Sequence, residues 1–456
     1  MNDNINNRGL WRSKIGFIVA ASGSAIGLGN IWRFPYLTGE NGGAVFVFIY
    51  LFFVLLIGFP VMLAEVSIGR NTQRNPVGAF KKLAPKTHWK YVGILGVISG
   101  FAILSFYSVV AGYTLGYIFE TLFGVFRNIQ TAQQTKQIFG EFASNPISSL
   151  LCLSLFLFVN GIIVYKGVEE GIERWSKTLM PILLFLLIFL VIRSLTLEGS
   201  FEGLNFYIKP DLSKVTGSTF MNALGQAFFS LSLGMGTMIT YGSYLSKKDN
   251  LVTSVSYVCL FDTLIAFVAG LAIFPALFAM GLSPNEGPDL VFVVIPSIFS
   301  KIPGGTYFGT AFFILLAIAA LTSTISLLEV VVAYIIEERG WSRKRATVGA
   351  SIISFLLAIP SALSGGIVKF FTKLPYYGGD FLSFMSTVFG SYALSIGCLF
   401  IAVFVGWRWG VHRASQEIAN GNPRFRLRVL WHVLIKFVSP IAVFLIILNL
   451  IKSSFF

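Results

Sequence analysis

Apolar runs long enough to cross a membrane fill this chain, and short polar, mostly basic segments separate them. About 20 apolar residues in a helix cross a hydrocarbon core roughly 30 Å thick. Charge-free stretches of that order are Ile15–Trp32, Ala44–Ala64, Tyr91–Phe119, Ile147–Tyr165, Val215–Ser246, Ile302–Leu328, Ala346–Val368 and Phe381–Trp407. Three more are short or interrupted. Thr178–Ile192 lies between Lys177 and Arg193, which can snorkel; Asn250–Asn285 encloses Asp262; Val429–Ile451 encloses Lys436. The pattern predicts an all-α integral membrane protein of eleven transmembrane helices.

The connections are too short for a separate domain. Gly124–Pro146 and Thr196–Ser218 read as polar outer loops, Pro284–Pro303 as a short helix capping the outer face, and Asn75–Pro85 as an interfacial helix carrying Lys81 and Lys82. The chain then divides into a cytoplasmic tail (1–14), a first five-helix half (15–196), an extracellular loop (197–217), a second five-helix half (218–410), a cytoplasmic loop (411–428) and a last helix with the C-terminus (429–456).

Composition agrees: 55% of residues are hydrophobic and 12% charged, against about a quarter charged in a soluble domain. A net charge of +14 would point to nucleic acid in a soluble chain; here the charge orients the spans. With the N-terminus inside, 23 of the 34 Lys and Arg fall on the cytoplasmic side, so the N-terminus is expected in the cytoplasm and the C-terminus outside. The tail MNDNINNRGLWRSK is polar and basic, but no small-residue cleavage site ends the run after it, which reads as a retained helix. Cys152, Cys259 and Cys398 sit in apolar runs without CxxC spacing, and the three His are scattered, so neither a disulfide scaffold nor a structural zinc site is expected.

Helical propensity fails inside two spans. The first reads GSAIGLGN (Gly23–Asn30) and the sixth SLSLGMGT (Ser230–Thr237). Taken alone, either is more readily read as close helix packing. Together they occupy corresponding positions of two five-helix halves, and an offset of five spans inverts one half. Paired interruptions of this kind mark inverted-repeat transporters with a site at the midplane. Unwound backbone there must coordinate something polar or face a wet cavity. Half-helix N-termini favour a carboxylate, and freed carbonyls a small cation. Ionisable residues within spans are expensive and point to function: Arg33, Glu65, Asp262 and Glu329. Span eight adds Thr322, Ser323 and Thr324; one carboxylate among hydroxyls and carbonyls suits Na⁺ and not a soft transition metal. Lone hydroxyls more commonly back-bond to the preceding turn, and only convergence with the breaks lifts these.

The segment GSAIGLGNIWRFPYLTGENGGAVF (Gly23–Phe46) resembles the first-helix signature of the neurotransmitter:sodium symporters. GQAFFSLSLGMGTMITYGSYL (Gly225–Leu245), ALTSTIS (Ala320–Ser326) and IPSIFSKIPGGTYFG (Ile295–Gly309) match later stretches in register. Eleven spans, the Leu-Gly-Met-Gly break and Asp262 are similar to the compact bacterial amino acid transporters, the multi-hydrophobic and tyrosine branch. The resemblance implies the leucine-transporter-like fold of five plus five inverted helices, with helices 1 and 6 unwound, in a bacterial inner (plasma) membrane.

It also implies roles. One sodium would be held by the Ala25 carbonyl, Asn30, Ser230 and Asp262 with the substrate carboxylate; a second by carbonyls of Gly23, Ile26 and Ala319 with the hydroxyls of Thr322 and Ser323. The carboxylate would meet the Leu28 and Gly29 amides and the Tyr107 hydroxyl; the ammonium would face carbonyls of Ala25, Phe229, Ser230 and Ser232. Ile103, Tyr107, Phe229, Ser232, Met235, Ser323 and Leu327 would line the side-chain pocket. Arg33 would pair with Asp380, directly or through water, with Phe229 as the outer lid. Arg8 with Glu337, supported by Trp11, would close the cytoplasmic side.

Gly27 stands where monoamine members carry an Asp, so the substrate is expected to bring its own α-carboxylate. Asp262 replaces a neutral residue near the first sodium and can supply the negative charge that chloride provides elsewhere, although Tyr50 and Gln226 are retained at chloride-related positions. The expected function is alternating-access symport of large apolar and aromatic L-amino acids with two Na⁺, independent of chloride. The expected partners are that substrate, Na⁺ and the bilayer, not nucleic acid; a single chain is the expected functional unit. A proton-coupled permease of the same fold is the near alternative, and a cation channel a remote one. No Ser/His, paired-Asp or HExxH arrangement lies within a span to support an intramembrane enzyme.

Overall fold

The structure, a computed structural model, describes residues 9–127, 129, 131–285, 287, 289–366, 368–421 and 425–455. Among these there are helices and no strand. The first apolar run forms two pieces, α1 (Lys14–Ala25) and α2 (Gly29–Glu40), bent by 50°. Then come α3 (Ala44–Thr72), the short α4 (Pro76–Leu83), α5 (Lys90–Leu122), α6 (Ala132–Ser144), α7 (Pro146–Tyr165) and α8 (Val168–Leu195). The second half holds α9 (Ser200–Ile208), the pair α10 (Gly217–Ser230) and α11 (Thr237–Gly242), α12 (Leu251–Ala279), α13 (Leu290–Lys301), α14 (Gly305–Arg339), α15 (Arg343–Gly365), α16 (Phe381–Ala419) and α17 (Arg428–Lys452).

Nine described helices are long and apolar enough to span a membrane, and the bent pair α1–α2 makes ten. α10 and α11 are each too short alone; taken as one interrupted span they would complete the expected eleven. Helix starts follow local chemistry. Asn75 and Asn145 accept from the amides two and three residues on, each ahead of a proline whose missing N–H is no loss at that position. Thr216 and Thr219 form a reciprocal cap for α10.

The helices sort by burial. In the most apolar stretches of α5 and α14, 78% of residues are buried, against 28% in α8 and 33% in α17. α5 and α14 pack along most of their lengths and, with α7 and α15, make one group; α1, α3, α10, α11 and α12 pack as another. The two interruptions lie where the groups meet.

Three connections differ from the sequence reading. The outer loops contain α6 and α9, and 411–428 opens with helix as far as Ala419. The cue for α6 was present: Thr131 and Gln134 form a capping box. Arg70, one of the 23 Lys and Arg expected on the cytoplasmic side, is fully buried: its Nε donates to Glu417 Oε1 at 2.7 Å and its Nη1 to the Asp249 carbonyl at 2.6 Å. That pairing ties the end of α3 to the end of α16, 347 residues away in sequence. A carboxylate beside an arginine is the form in which a buried charge is tolerated.

Candidate functional site

The first interruption covers only Ile26–Leu28; Gly23 and Ala25 remain helical, so it is shorter than the glycine pattern predicts. Its free amides find new partners. Gly27 N donates to Asn30 Oδ1 at 3.1 Å, and Leu28 N to the Tyr107 hydroxyl at 2.8 Å. In an unbroken helix these amides would serve the carbonyls of Gly23 and Ser24. Those carbonyls are thereby released to other donors: Ser24 O accepts from Ser323 Oγ at 3.1 Å and from Ser232 Oγ at 3.0 Å. A Cβ on Gly27 would lie 2.3 Å from Ser323 Oγ and 2.6 Å from the Tyr107 hydroxyl. The glycine lets those two side chains reach the break.

The second interruption, Leu231–Gly236, matches the expected segment. Ser232, Gly234 and Gly236 have φ of 53°, 79° and 78°. Gly234 N donates to Glu65 Oε1 at 2.8 Å, which places the buried acid of α3 on this break. The carbonyl of Leu394 would lie 2.4 Å from a Cβ at Gly234, so α16 packs directly against the turn.

Around the breaks the expected residues converge in two clusters. In the first, Asn30 Nδ2 reaches Ser230 Oγ at 3.1 Å and Asp262 Oδ1 at 2.8 Å, and Ser230 Oγ donates to the Asp262 carboxylate at 2.9 and 3.0 Å. The Tyr50 hydroxyl donates to Asp262 Oδ2 at 3.2 Å. Asp262, Asn30 and Tyr50 are completely buried. In the second cluster, Thr322 Oγ1 lies 3.3 Å from the Ile26 carbonyl and 3.0 Å from that of Ala319, and Ser323 Oγ lies 3.5 Å from the Ile26 carbonyl. A Cβ on Gly23 would sit 3.3 Å from Thr322 Cβ, so that residue adjoins the same cluster. Both donor sets are hard oxygens, and no cluster of three His, Cys, Asp or Glu exists among the described residues. The arrangement suits an alkali cation better than a transition metal.

Between the clusters lies a small cavity, with Ala25, Gly29, Ile103, Tyr107, Phe229, Ser232, Met235, Ser323 and Leu327 among its lining residues. Oxygen-bearing groups gather at one end; Ile103, Met235 and Leu327 supply apolar wall. Phe229 and Tyr107 also line a second cavity of about 540 Å³ that contains Arg33 and Ser386. Phe229 thus stands between the two, as a lid would.

Arg33 makes no ion pair with Asp380. Its guanidinium carbon lies 4.8 Å from the Phe229 ring centre and its Nη1 donates to Gln226 Oε1 at 3.0 Å, while Gln226 Nε2 donates to the Gly29 carbonyl at 2.7 Å. Asp380 instead caps the start of α16 through the Ser383 amide at 2.7 Å. The direct outer pair is therefore absent, and the half-buried carboxylate finds its partner in a helix N-terminus.

At the opposite end, Trp11 Nε1 donates to the Tyr241 carbonyl at 2.9 Å, and its ring packs edge-on against Tyr241 and Tyr244. Glu337 accepts from the Asn75 amide and side chain, both at 2.9 Å. Arg8, its expected partner, lies outside the described residues. Glu329 is not at the midplane site: Tyr244 and Arg343 hold it at 2.6 and 2.5 Å.

One residue escaped the sequence reading. Glu173 of α8, 2% exposed, accepts from the Arg12 amide at 2.8 Å, from Ser13 Oγ at 3.2 Å and from Lys177 Nζ at 2.5 Å. Its carboxylate sits on the N-terminus of α1, where a Cβ on Gly16 would collide with it at 2.1 Å. Glu173 and Lys177 are four residues apart on α8, and only the fold brings Gly16 beneath the carboxylate.

The family model of the sodium:neurotransmitter symporter family matches residues 8–140 and 144–455. The chain belongs to that family. It is 39% identical, over 97% of both chains, to an uncharacterized sodium-dependent transporter of Bacillus subtilis (strain 168), and 37% identical, over 98% of this chain and 99% of the other, to one of Haemophilus influenzae. The crystal structure of MhsT in complex with L-phenylalanine is similar at a TM-score of 0.89 and 46% identity, covering 97% of this chain and 100% of that one. The expected family and fold are borne out, and the protein is a sodium-dependent membrane symporter and not an enzyme.

Proposed function

We propose that this symporter imports large apolar and aromatic L-amino acids with two Na⁺ and without chloride. The observation that carries the reading is the meeting of both helix breaks with two oxygen-donor clusters and a mostly apolar cavity. The substrate carboxylate would take the Leu28 and Gly29 amides and the Tyr107 hydroxyl, and would complete the first sodium site of Ala25, Asn30, Ser230 and Asp262. That shared ligand makes amino acid and sodium affinities reciprocal. Gly23, Ile26, Ala319, Thr322 and Ser323 would hold the second ion between α1 and α14. Releasing that ion inward would free the α1–α3–α10–α12 group to tilt against the other. The match to a phenylalanine-bound transporter supports the substrate class, and the adaptable thioether of Met235 favours a range of side chains.

Chloride independence follows from Asp262. Its carboxylate already takes the Tyr50 and Ser230 hydroxyls that an anion would need, and Gln226 is turned away to Gly29 and Arg33. The weight of Lys and Arg supports a cytoplasmic N-terminus, so Trp11 and Glu173 would close the inner side. Each Na⁺ moving inward through about 100 mV releases roughly 2.3 kcal/mol before any concentration term.

Radiolabelled phenylalanine uptake into proteoliposomes tests the reading, with external Na⁺ against K⁺, gluconate against chloride, and all twenty amino acids as competitors. The expected result is uptake in Na⁺ only, unchanged in gluconate, and inhibited by Leu, Ile, Val, Phe, Tyr, Trp and Met. Equal uptake in K⁺ would remove sodium coupling, and inhibition confined to polar amino acids would remove the substrate class.

A further inference from the structure

A mostly apolar recess lies remote from the transport cavity. It lies where the end of α8 meets α12, α13 and α14, walled by residues such as Leu190, Ile273, Ile298 and Phe312. Two polar groups from consecutive residues of α8 line it. Ser194 is 3% exposed, and its hydroxyl has no hydrogen-bond partner. Several buried hydroxyls of this chain lack a partner; this one differs in lining a recess, where an acceptor from outside the chain can reach it. Arg193 stands beside it, its guanidinium 5.5 Å from the Phe308 ring centre and 3.2 Å from Thr196 Oγ1, with no carboxylate in ion-pair range among the described residues.

The surroundings say from which phase the acceptor comes. The outer face of α8 leading to this recess is apolar and exposed: Phe185, Ile188, Ile192 and Leu195 are 68, 46, 60 and 41% exposed. In a membrane symporter that face lies against acyl chains. An apolar hole opening beside it, with a cation at the end of the helix where headgroups lie, matches the layering of a phospholipid from tail to phosphate.

We propose that this recess binds one acyl chain of an anionic membrane phospholipid. The chain fills the space between α8, α12 and α14, an ester carbonyl accepts from Ser194 Oγ, and the phosphate meets the Arg193 guanidinium. The bound lipid wedges α12, which belongs to the α1–α3–α10 group, against α14 of the other group. Lipid in the recess therefore bears on the relative motion of the two groups, without contacting the amino acid or the ions.

Native mass spectrometry of the full-length protein in detergent tests this without Na⁺ or amino acid, so the result stands apart from the transport reading. The probes are phosphatidylglycerol and phosphatidylcholine with the same chains, and oleate. The expected result is that phosphatidylglycerol is retained over the other two. Arg193→Gln lowers its retention about fivefold, the effect of one basic residue beside an anionic lipid. Ala276→Phe, which fills the recess from α12, lowers retention of both phospholipids. Melting temperature and monodispersity show that each variant is folded, and Arg193→Gln, at the rim, serves if Ala276→Phe is not. Undiminished phosphatidylglycerol retention in Arg193→Gln would overturn the proposal. So would preferential retention of oleate, which would make the occupant a free fatty acid.

Discussion

The break between α1 and α2 occupies three residues and keeps its backbone groups in use by side chains, whereas the break between α10 and α11 occupies six and holds three residues with positive φ. The first is surrounded by hydroxyls, an amide and a carboxylate from α5, α10, α12 and α14. The second is held by Glu65 at one amide and by Ser232 against Ser24, and otherwise packs on α16 and presents Met235 to the cavity. The difference assigns separate tasks. On the proposed function, the short break would offer carbonyls and amides to ions and a carboxylate, while the long one would shape the wall that a side chain meets. Substitutions at the first should therefore act on ions and backbone recognition, and at the second on folding and selectivity.

The largest effect is expected at Asp262. Asp262→Asn removes the only carboxylate of the first cluster, and Na⁺ affinity should fall about a hundredfold, near the upper end of losses at perturbed metal sites. Sodium titration of phenylalanine binding measures it; an unchanged midpoint would separate Asp262 from the ion. Next is Gly234→Ala on the second break. The left-handed backbone and the 2.4 Å approach to the Leu394 carbonyl should together lower stability by about 2 kcal/mol or more. Thermal unfolding should show it, while the sodium midpoint of the folded fraction stays put.

Tyr107→Phe comes third. Losing a hydroxyl within reach of the Leu28 amide and the substrate carboxylate should weaken phenylalanine binding about tenfold, the scale of one hydrogen bond to a charged group. The smallest effect is expected for Met235→Leu, a volume-conserving change that should shift the ranking of competing amino acids by less than about 1.5 kcal/mol and leave sodium dependence alone. A sodium shift in that variant would erase the division of labour between the breaks.

Much of this was legible in the chain. Uninterrupted apolar runs have one solution in a bilayer, so the spans could be read; the second break announced itself through Gly234 and Gly236, which take the left-handed backbone most residues avoid. The first was over-read because Gly23 is tolerated in helix once α14 packs against it. What sequence could not supply were long-range pairings of charge. Arg70 with Glu417 and Glu173 with the N-terminus of α1 join residues 347 and 161 positions apart, and no local pattern links the members. Arg33 shows the converse: with no carboxylate in reach, it turns to the Phe229 ring and Gln226.

On the proposed function, the substrate carboxylate both meets the first break and completes the first sodium site. Equilibrium binding of phenylalanine to the purified symporter in Na⁺ and in K⁺, with Na⁺ binding measured in turn with and without phenylalanine, tests it most directly. The account predicts that Na⁺ raises phenylalanine affinity at least about tenfold and that phenylalanine raises Na⁺ affinity by the same factor. Phenylalanine bound equally well in both salts would contradict it.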